Sequence, residues 1–196
     1  MEVEVIYSQY GKEIEGPLII NPKIYYDKRG YFLESWNDLS FKKFTNNSVE
    51  FVQDNHSSSK KGVIRGMHYQ LMPKGQGKLV RCTNGKILDV IIDLRTSSNT
   101  FGEYASIILN DIKMQQIWIP IGFAHGFLSL SDNSVLNYKA TNFWDSRLER
   151  SIAWNDIDID INWKLDEYKI KETILNDKDL NALTFKEAKK NGDIFE

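Results

Sequence analysis

The chain has 196 residues, 41% hydrophobic and 27% charged, a composition typical of one soluble globular domain (residues 1–196). Its 25 Lys and Arg residues nearly balance 27 Asp and Glu residues, so the net charge of −2 excludes the basic excess that nucleic acids or anionic membranes require. A single cysteine, Cys82, excludes an internal disulfide and indicates a cytoplasmic protein.

The N-terminus is acidic and lacks a basic segment followed by an apolar run, so we expect no signal peptide. No stretch approaches the roughly 18 consecutive apolar residues that cross a bilayer, so we expect no membrane partner.

Short β-type segments separated by turn residues recur from about residue 17 to residue 142, and they predict an all-β sandwich or barrel. They read PLIIN, KIYY, YFLESW, SVEFVQ, KLVRCT, KILDVIIDLR, YASIIL, QQIWIP, FLSLS and VLNYKAT. The Asn84-Gly85 pair predicts a two-residue hairpin between the strands on either side of it. LSFKKF (residues 39–44) predicts a short helix.

Alternation along the strands places Lys78, Tyr138 and His125 each in register with apolar or small residues. If those faces line a barrel, all three polar side chains point into its interior, where each needs a partner or a ligand. The chain beyond about Asp166 is charged and weakly periodic, which predicts a helical or irregular cover over the barrel. Within it, FKEAKKNG predicts a helix that ends at Gly192.

Residues 51–81 are rich in polar side chains of catalytic types. A straight strand would place Arg65 and His68 on opposite faces, but Gly66 between them permits a bulge that brings them together. Because Arg65, Gln70 and Lys78 lie close in sequence, we predict a functional role for His68. His125 fits a core histidine and a site residue equally well, and His56 is interpreted as a loop residue.

Metal-dependent jelly rolls often carry an H-x-H pair on one strand, and here that pair would be His68 and Gln70. Since glutamine is a poor ligand for a transition metal, we expect no catalytic metal. The Walker and Rossmann glycine motifs are both absent, so Arg and Lys side chains would have to bind any diphosphate. Arg65 and Arg29 are candidates, although the DKRGYF pattern around Arg29 by itself favours a solvated turn charge.

Several motifs follow one another along the chain in a fixed order: DKRGYFLESWN, FVQDNHSSSKKGVIRGMHYQ, GKLVRCTNGKILDVIIDLR, TFGEY, WIPIGFAHGFLSLS, VLNYKAT and IAWND. In this order they resemble the dTDP-4-dehydrorhamnose 3,5-epimerase family, from about residue 17 to about residue 183. The resemblance implies a cupin-type jelly-roll barrel without metal or cofactor, and a homodimer whose N-terminal strand crosses to the partner. It also implies conversion of dTDP-4-keto-6-deoxy-D-glucose, a nucleotide sugar, to dTDP-4-keto-L-rhamnose.

By the same resemblance, His68 in RGMHYQ is the base, and Asp179 in the segment NDKD supports its imidazole. Lys78 would stabilise the charge that develops on O4, and Tyr138 would return a proton on the opposite face.

The positions matching substrate contacts are Arg29, Glu34, Gln53, Asn55, Arg65, His125, Trp144 and Glu149. Many family members have a tyrosine where Trp144 stands, and a serine where Asn176 stands. An indole still offers a flat stacking face, but the change leaves the nucleotide base open.

Several alternatives remain open at this stage. Three lie in the same class: epimerisation at C3 only, 3,4-ketoisomerisation, and epimerisation of another nucleoside-diphosphate 4-keto sugar. Two lie in other classes: a metal-dependent cupin, which the weak ligand set disfavours, and a catalytically silent sugar-binding module. The presence of both His68 and Tyr138 disfavours the binding module, because binding requires no acid and base on opposite faces.

Overall fold

The computed structural model describes residues 2–45 and 49–196. Its strands are β1 (Glu2–Tyr7), β2 (Glu13–Asn21), β3 (Ile24–Asp27), β4 (Gly30–Leu33), β5 (Gln53–Ser59), β6 (Ile64–Gln70), β7 (Lys78–Asn84), β8 (Lys86–Asp93), β9 (Tyr104–Asn110), β10 (Gln116–Ile119), β11 (Phe123–Ser129), β12 (Ser134–Ala140) and β13 (Glu149–Ser151). Its helices are α1 (Asp38–Thr45), α2 (Asp177–Leu180) and α3 (Phe185–Asn191). Within the described part of the chain, no helix is both long and apolar enough to cross a membrane.

Eleven of the strands form two antiparallel sheets that face each other, and β3 and β4 pair in a separate two-stranded sheet. One sheet has six strands in the order β1-β2-β10-β7-β12-β5, and the other has five in the order β13-β6-β11-β8-β9. Apolar side chains from both sheets, among them Val80, Ile91 and Phe127, meet in one buried cluster between them. The predicted all-β jelly-roll barrel with few short helices is therefore confirmed.

A second buried cluster lies on the outer face of the five-stranded sheet. Leu88 and Val90 of β8 point into it and pack beneath Ile161, Trp163 and Phe195 of the C-terminal segment. This confirms the predicted cover over the barrel. The predicted helix is α3, and it ends at Gly192, whose φ of 74° is the left-handed conformation that suits a glycine C-cap.

The predicted hairpin at Asn84-Gly85 is wrong. β7 pairs with β10 and β12 in one sheet, whereas β8 pairs with β9 and β11 in the other. Gly85 has a positive φ of 77°, as expected from the turn motif, but the turn passes the chain from one sheet to the other. Since each strand already has a partner on both sides, neither has an edge left for the other.

The strand predicted over residues 48–53 is also displaced. Residue 48 lies outside the described part of the chain, and residues 49–52 are not in a strand, because β5 begins at Gln53. Val49 and Phe51 instead pack against Phe41 and Trp118, next to the predicted short helix, which is α1. These two side chains are therefore apolar because they pack in a small aromatic cluster, not because they belong to a strand. β1 was not predicted.

A bulge interrupts the pairing of β6 with β11. His68 pairs with His125 and Arg65 pairs with Phe127, so two residues of β6 lie opposite Gly126 alone. The bulge brings Arg65 and His68 onto the same face of the sheet, as the Gly66 spacing predicts. The two strands approach so closely here that a Cβ on Gly66 would lie 2.5 Å from the Cα of Gly126.

Gly126→Ala is expected to destabilise the protein, because the added Cβ would lie 2.6 Å from Met67 Sδ and 2.7 Å from the carbonyl oxygen of Arg65. Overpacking of this kind costs roughly 1–3 kcal/mol, measured as the free energy of unfolding in urea. Gly11→Ala is the control, because no atom lies within 4 Å of its added Cβ and only its φ of 76° is unfavourable. An equal loss in both variants would contradict the close-packed bulge.

Candidate active site

One cavity of about 320 Å³ opens between the two sheets, and ten of the twelve predicted site residues line it. From the six-stranded sheet come Gln53, Asn55, Lys78 and Tyr138; from the five-stranded sheet come Arg65, His68, His125 and Glu149; the remaining two are Trp144 and Asp179. Volumes of this size accommodate small ligands. The interior orientation that alternation predicts for Lys78, Tyr138 and His125 is confirmed.

His68, on the five-stranded wall, forms a short contact with a buried carboxylate. Its Nε2 lies 2.6 Å from Oδ1 of Asp179, which is only 1% exposed. With a carboxylate as the acceptor, Nε2 carries the hydrogen and Nδ1 is left with the lone pair. The imidazole is thus held in the tautomer and orientation that a general base requires.

Asp179 is positioned by its own short helix. Asn176 is the N-cap of α2, and its side chain accepts a hydrogen bond from the Asp179 backbone N–H at 2.7 Å. The second carboxylate oxygen of Asp179 accepts from the backbone N–H of Gly66 at 3.3 Å. Asparagine and serine are equally good N-caps, so the departure at Asn176 preserves the geometry.

Lys78 and Tyr138 lie on the six-stranded wall. Lys78 Nζ donates to the carbonyl oxygen of His68 at 3.2 Å and lies 5.9 Å from the centre of the Tyr138 ring. Burial lowers the pKa of Lys78 to about 8, although the nearby carboxylates of Glu149 and Asp89 oppose that shift. Burial, together with the charge of Glu149, raises the pKa of Tyr138, which keeps the phenol protonated.

Glu149 contacts both Trp144 and Lys178. Its Oε2 forms an ion pair with Lys178 at 2.6 Å. Burial opposes its ionisation, but hydrogen bonds from Lys178 and from the Trp144 side chain hold the pKa of this carboxyl below its usual value. Trp144 stands at the mouth with 57% of its surface exposed, so a flat aromatic face is available to a ligand.

A second imidazole–carboxylate pair lies deeper in the barrel. His125 Nε2 is 2.8 Å from Oδ2 of Asp89, and both side chains are buried. Among the described residues, the other oxygen of Asp89 is buried without a hydrogen-bond partner. His125 therefore combines the two roles that the sequence left open, because it is buried and hydrogen-bonded and also lines the cavity.

The remaining polar side chains of the cavity are held by neighbours in β5 and β6. Arg65 Nε donates to Ser59 Oγ at 3.1 Å and leaves much of its guanidinium exposed at the rim. Gln53 Nε2 donates to Asn55 Oδ1 at 3.0 Å, while the Asn55 amide nitrogen is buried without a partner among the described residues. His56 lies in β5, so its interpretation as a loop residue is wrong.

The structure does not bring Arg29 and Glu34 to this cavity. Arg29 lies at the tip of the β3–β4 hairpin, where its guanidinium pairs with Asp27 at 2.6 Å and is exposed. Glu34 follows the same hairpin and accepts from Asn37 at 3.3 Å. The hairpin is a separate two-stranded sheet with exposed aromatic side chains, including Tyr26 and Phe32.

Three residues with clear roles in the geometry were not predicted. Asp89 holds His125, and its place on the inward-facing side of β8 was the available signal. Lys178 forms an ion pair with Glu149, and its position beside Asp179 in NDKD was the one sequence signal that placed it near the site. Gln70 was considered as a polar neighbour of His68 and as a metal ligand, but its amide bonds to loop backbone atoms. No group of three or more His, Cys, Asp or Glu side chains suited to a metal ion occurs in residues 2–45 and 49–196.

Comparisons with known proteins identify the family of the chain. A sequence model of the family described as dTDP-4-dehydrorhamnose 3,5-epimerase matches residues 11–187. A relative of that name from Shigella flexneri is 48% identical over 176 residues, covering 90% of this chain and 94% of the relative.

Two solved structures share the cupin-type fold. An epimerase of Mycobacterium tuberculosis superposes with a TM-score of 0.90 at 34% identity, covering 93% of this chain and 90% of that chain. A Legionella pneumophila epimerase in complex with dTDP-4-keto-L-rhamnose gives a TM-score of 0.84 at 39% identity, covering 93% of each chain. The chain belongs to the dTDP-4-dehydrorhamnose 3,5-epimerase family.

Proposed function

We propose that the chain epimerises dTDP-4-keto-6-deoxy-D-glucose at C3 and C5, giving dTDP-4-keto-L-rhamnose. The observation that carries this proposal is the division of one cavity between two walls. His68, oriented by Asp179, lies on one sheet, while Tyr138 and Lys78 lie on the other. An enolate mechanism that inverts a carbon needs a base and an acid on opposite faces of the sugar.

In the proposed reaction, Nδ1 of His68 removes the proton from the carbon next to the C4 ketone. The C–H electron pair moves into the enolate, and the ammonium of Lys78 stabilises the negative charge on O4. The Tyr138 hydroxyl then delivers a proton to the other face of the same carbon, and solvent restores both side chains. The same groups serve C3 and C5, because the C4 ketone acidifies both positions. The reaction requires no metal or cofactor.

At the nucleotide end, we propose that Trp144 stacks on the base and that Arg65 binds the diphosphate. Trp144 and the Arg65 guanidinium are both exposed at the rim of the cavity. The Legionella relative, 39% identical, binds a dTDP sugar, which supports the same nucleotide here. Gln53, Asn55, His125 and Glu149 are proposed to bind the sugar and phosphate groups between the two ends.

We further propose a homodimer in which the β3–β4 hairpin of one subunit completes the partner's cavity. Exposed aromatic side chains on the hairpin and the distance of Arg29 and Glu34 from the cavity of their own chain support this arrangement. Residues 1–196 are proposed to act as one domain, and a cytoplasmic location rests on the single cysteine, Cys82.

The central test follows hydrogen exchange by NMR in D2O with dTDP-4-keto-6-deoxy-D-glucose and a chelator present. His68→Ala should abolish deuterium incorporation at C3 and C5, because it removes the group that is proposed to take the first proton. Tyr138→Phe is the matched variant on the opposite wall. It should retain exchange while product formation falls by about 10²-fold or more, because the base remains and the donor is lost.

Exchange that persists in His68→Ala would contradict the assignment of the base. For the wild-type protein, exchange at C3 alone would indicate a 3-epimerase, and movement of the keto group would indicate a ketoisomerase. Binding of the nucleotide sugar without any exchange would indicate a sugar-binding module. Loss of activity with the chelator would indicate a metal-dependent enzyme.

A pH profile tests the role of Lys78. Because burial lowers its pKa to about 8, the ammonium is present below that pH and is lost above it. We therefore expect kcat/KM to fall as pH rises through about 8, well below the ordinary range of a lysine. Lys78→Arg should move this alkaline limb upward in whatever activity remains, since a guanidinium stays charged. If kcat/KM fell at the same alkaline pH in the wild type and in Lys78→Arg, the proposed role of the Lys78 ammonium would be contradicted.

Complementation tests the exchange of hairpins. Arg29→Ala and His68→Ala homodimers should each be nearly inactive. Co-expressed in equal amounts, they should recover about one quarter of the wild-type activity, because half of the dimers are mixed and each has one intact site. His68→Ala co-expressed with Tyr138→Phe is the control and should recover nothing, because both residues line the cavity of one chain. No recovery in the first mixture would show that Arg29 serves its own subunit.

A further inference from the structure

Two loops form the mouth of the cavity at its nucleotide end. Residues 71–77 connect β6 to β7, and residues 141–148 connect β12 to β13. The second loop carries Phe143 and Trp144, which are 65% and 57% exposed. Two large aromatic side chains in water have little packing of their own to hold them, so something else must fix their position.

Gln70, the last residue of β6, lies beneath both loops and is only 2% exposed. Its Nε2 donates to the carbonyl oxygen of Lys74 in one loop and to that of Phe143 in the other, the latter at 3.1 Å. Its Oε1 accepts from the backbone N–H of Asp145 at 2.8 Å. One buried amide thus bonds to the residues immediately before and after Trp144.

The backbone N–H of Trp144 itself donates to Gln53 Oε1 at 3.0 Å. The main chain is therefore held at three successive residues, 143, 144 and 145. The Trp144 side chain is held as well, because it hydrogen-bonds to Glu149. Asn142 adds a further link between the loops, because its Nδ2 donates to the carbonyl oxygen of Gly75 at 2.8 Å. Phe143 and Trp144 thus stand on a rigid backbone although their side chains face water.

We infer that Gln70 is a positioning residue for nucleotide binding, acting through the loop that carries Trp144. This inference rests on the proposed function, in which Trp144 stacks on the base. An aromatic surface fixed before the ligand arrives loses less conformational entropy on binding, so its preorganisation increases affinity. Gln70 is not a catalytic residue, because its amide bonds to loop backbone atoms, whereas His68, Asp179, Lys78 and Tyr138 form the reacting end.

Gln70→Met removes the amide and keeps the length of the side chain. We expect the Kd for dTDP, measured by calorimetry, to rise about tenfold and KM to rise with it, while kcat stays within about threefold of wild type. Tyr69→Phe is the matched control in the same strand. It loses the buried hydrogen bond from the Tyr69 hydroxyl to the carbonyl oxygen of Asp193, 2.6 Å long, on the opposite face. It should lower the melting temperature without changing the Kd.

A double-mutant cycle separates positioning from a general structural role. If Gln70 acts through Trp144, then Gln70→Met should change the Kd by less than about twofold when Trp144→Ala is already present. Full additivity of the two effects would overturn the inference, as would an unchanged Kd in Gln70→Met or a loss confined to kcat. If Gln70→Met does not fold, Asn142→Ala takes its place in the cycle. It is expected to raise the Kd by a smaller factor and to show the same non-additivity.

The wild-type protein distinguishes this inference from the proposed function. If the wild type binds no dTDP, the proposed function is wrong and the positioning role is wrong with it. If the wild type binds dTDP and the two substitutions act additively, only the positioning role is wrong.

Discussion

The geometry of the site depends on one hydrogen bond, between His68 Nε2 and Asp179 Oδ1 at 2.6 Å. It joins a barrel strand to the C-terminal segment, 111 residues later in the chain. The same carboxylate accepts from the backbone N–H of Gly66 in the bulge, so the bulge, His68 and the C-terminal cover form one connected unit. The C-terminal segment therefore does more than shield the outer face of a sheet, because a loosened cover would leave the imidazole free to rotate and change its tautomer.

The charge of Glu149 shifts the pKa values of two side chains on the six-stranded wall, Tyr138 and Lys78. Burial is the larger cause of the raised pKa of Tyr138, and the carboxylate of Glu149 raises it further. Both effects keep the phenol protonated. The same carboxylate counteracts the loss of charge that burial imposes on Lys78. Lys178 in turn keeps Glu149 ionised despite burial. The ion pair between β13 and α2 thus places a carboxylate that raises the pKa of both Tyr138 and Lys78 on the opposite sheet.

Local patterns in the sequence predicted the directions of side chains but not their long-range partners. Period-two alternation was sufficient to predict that Lys78, Tyr138 and His125 point inward, because alternation is a property of a single strand. The Asn84-Gly85 motif specified a turn, yet strand pairing depends on which edges are free in the whole sheet, so the hairpin inferred from it was wrong. Asp179 was found only by resemblance, since nothing local in the sequence relates it to a histidine 111 residues away.

The two ends of the site are built in different ways, and this has a consequence for specificity. The separation of His68 from Tyr138 is set by two packed sheets, so changing it would require repacking the barrel core. The loop that carries Trp144 is held by side-chain hydrogen bonds to its main chain. A substitution in this loop changes the surface of the protein and leaves the core intact. In this loop, Trp144 lies between Phe143 and Asp145, whose main-chain atoms bond to Gln70. A substitution at position 144 would therefore alter the proposed nucleotide contact without moving His68 or Tyr138.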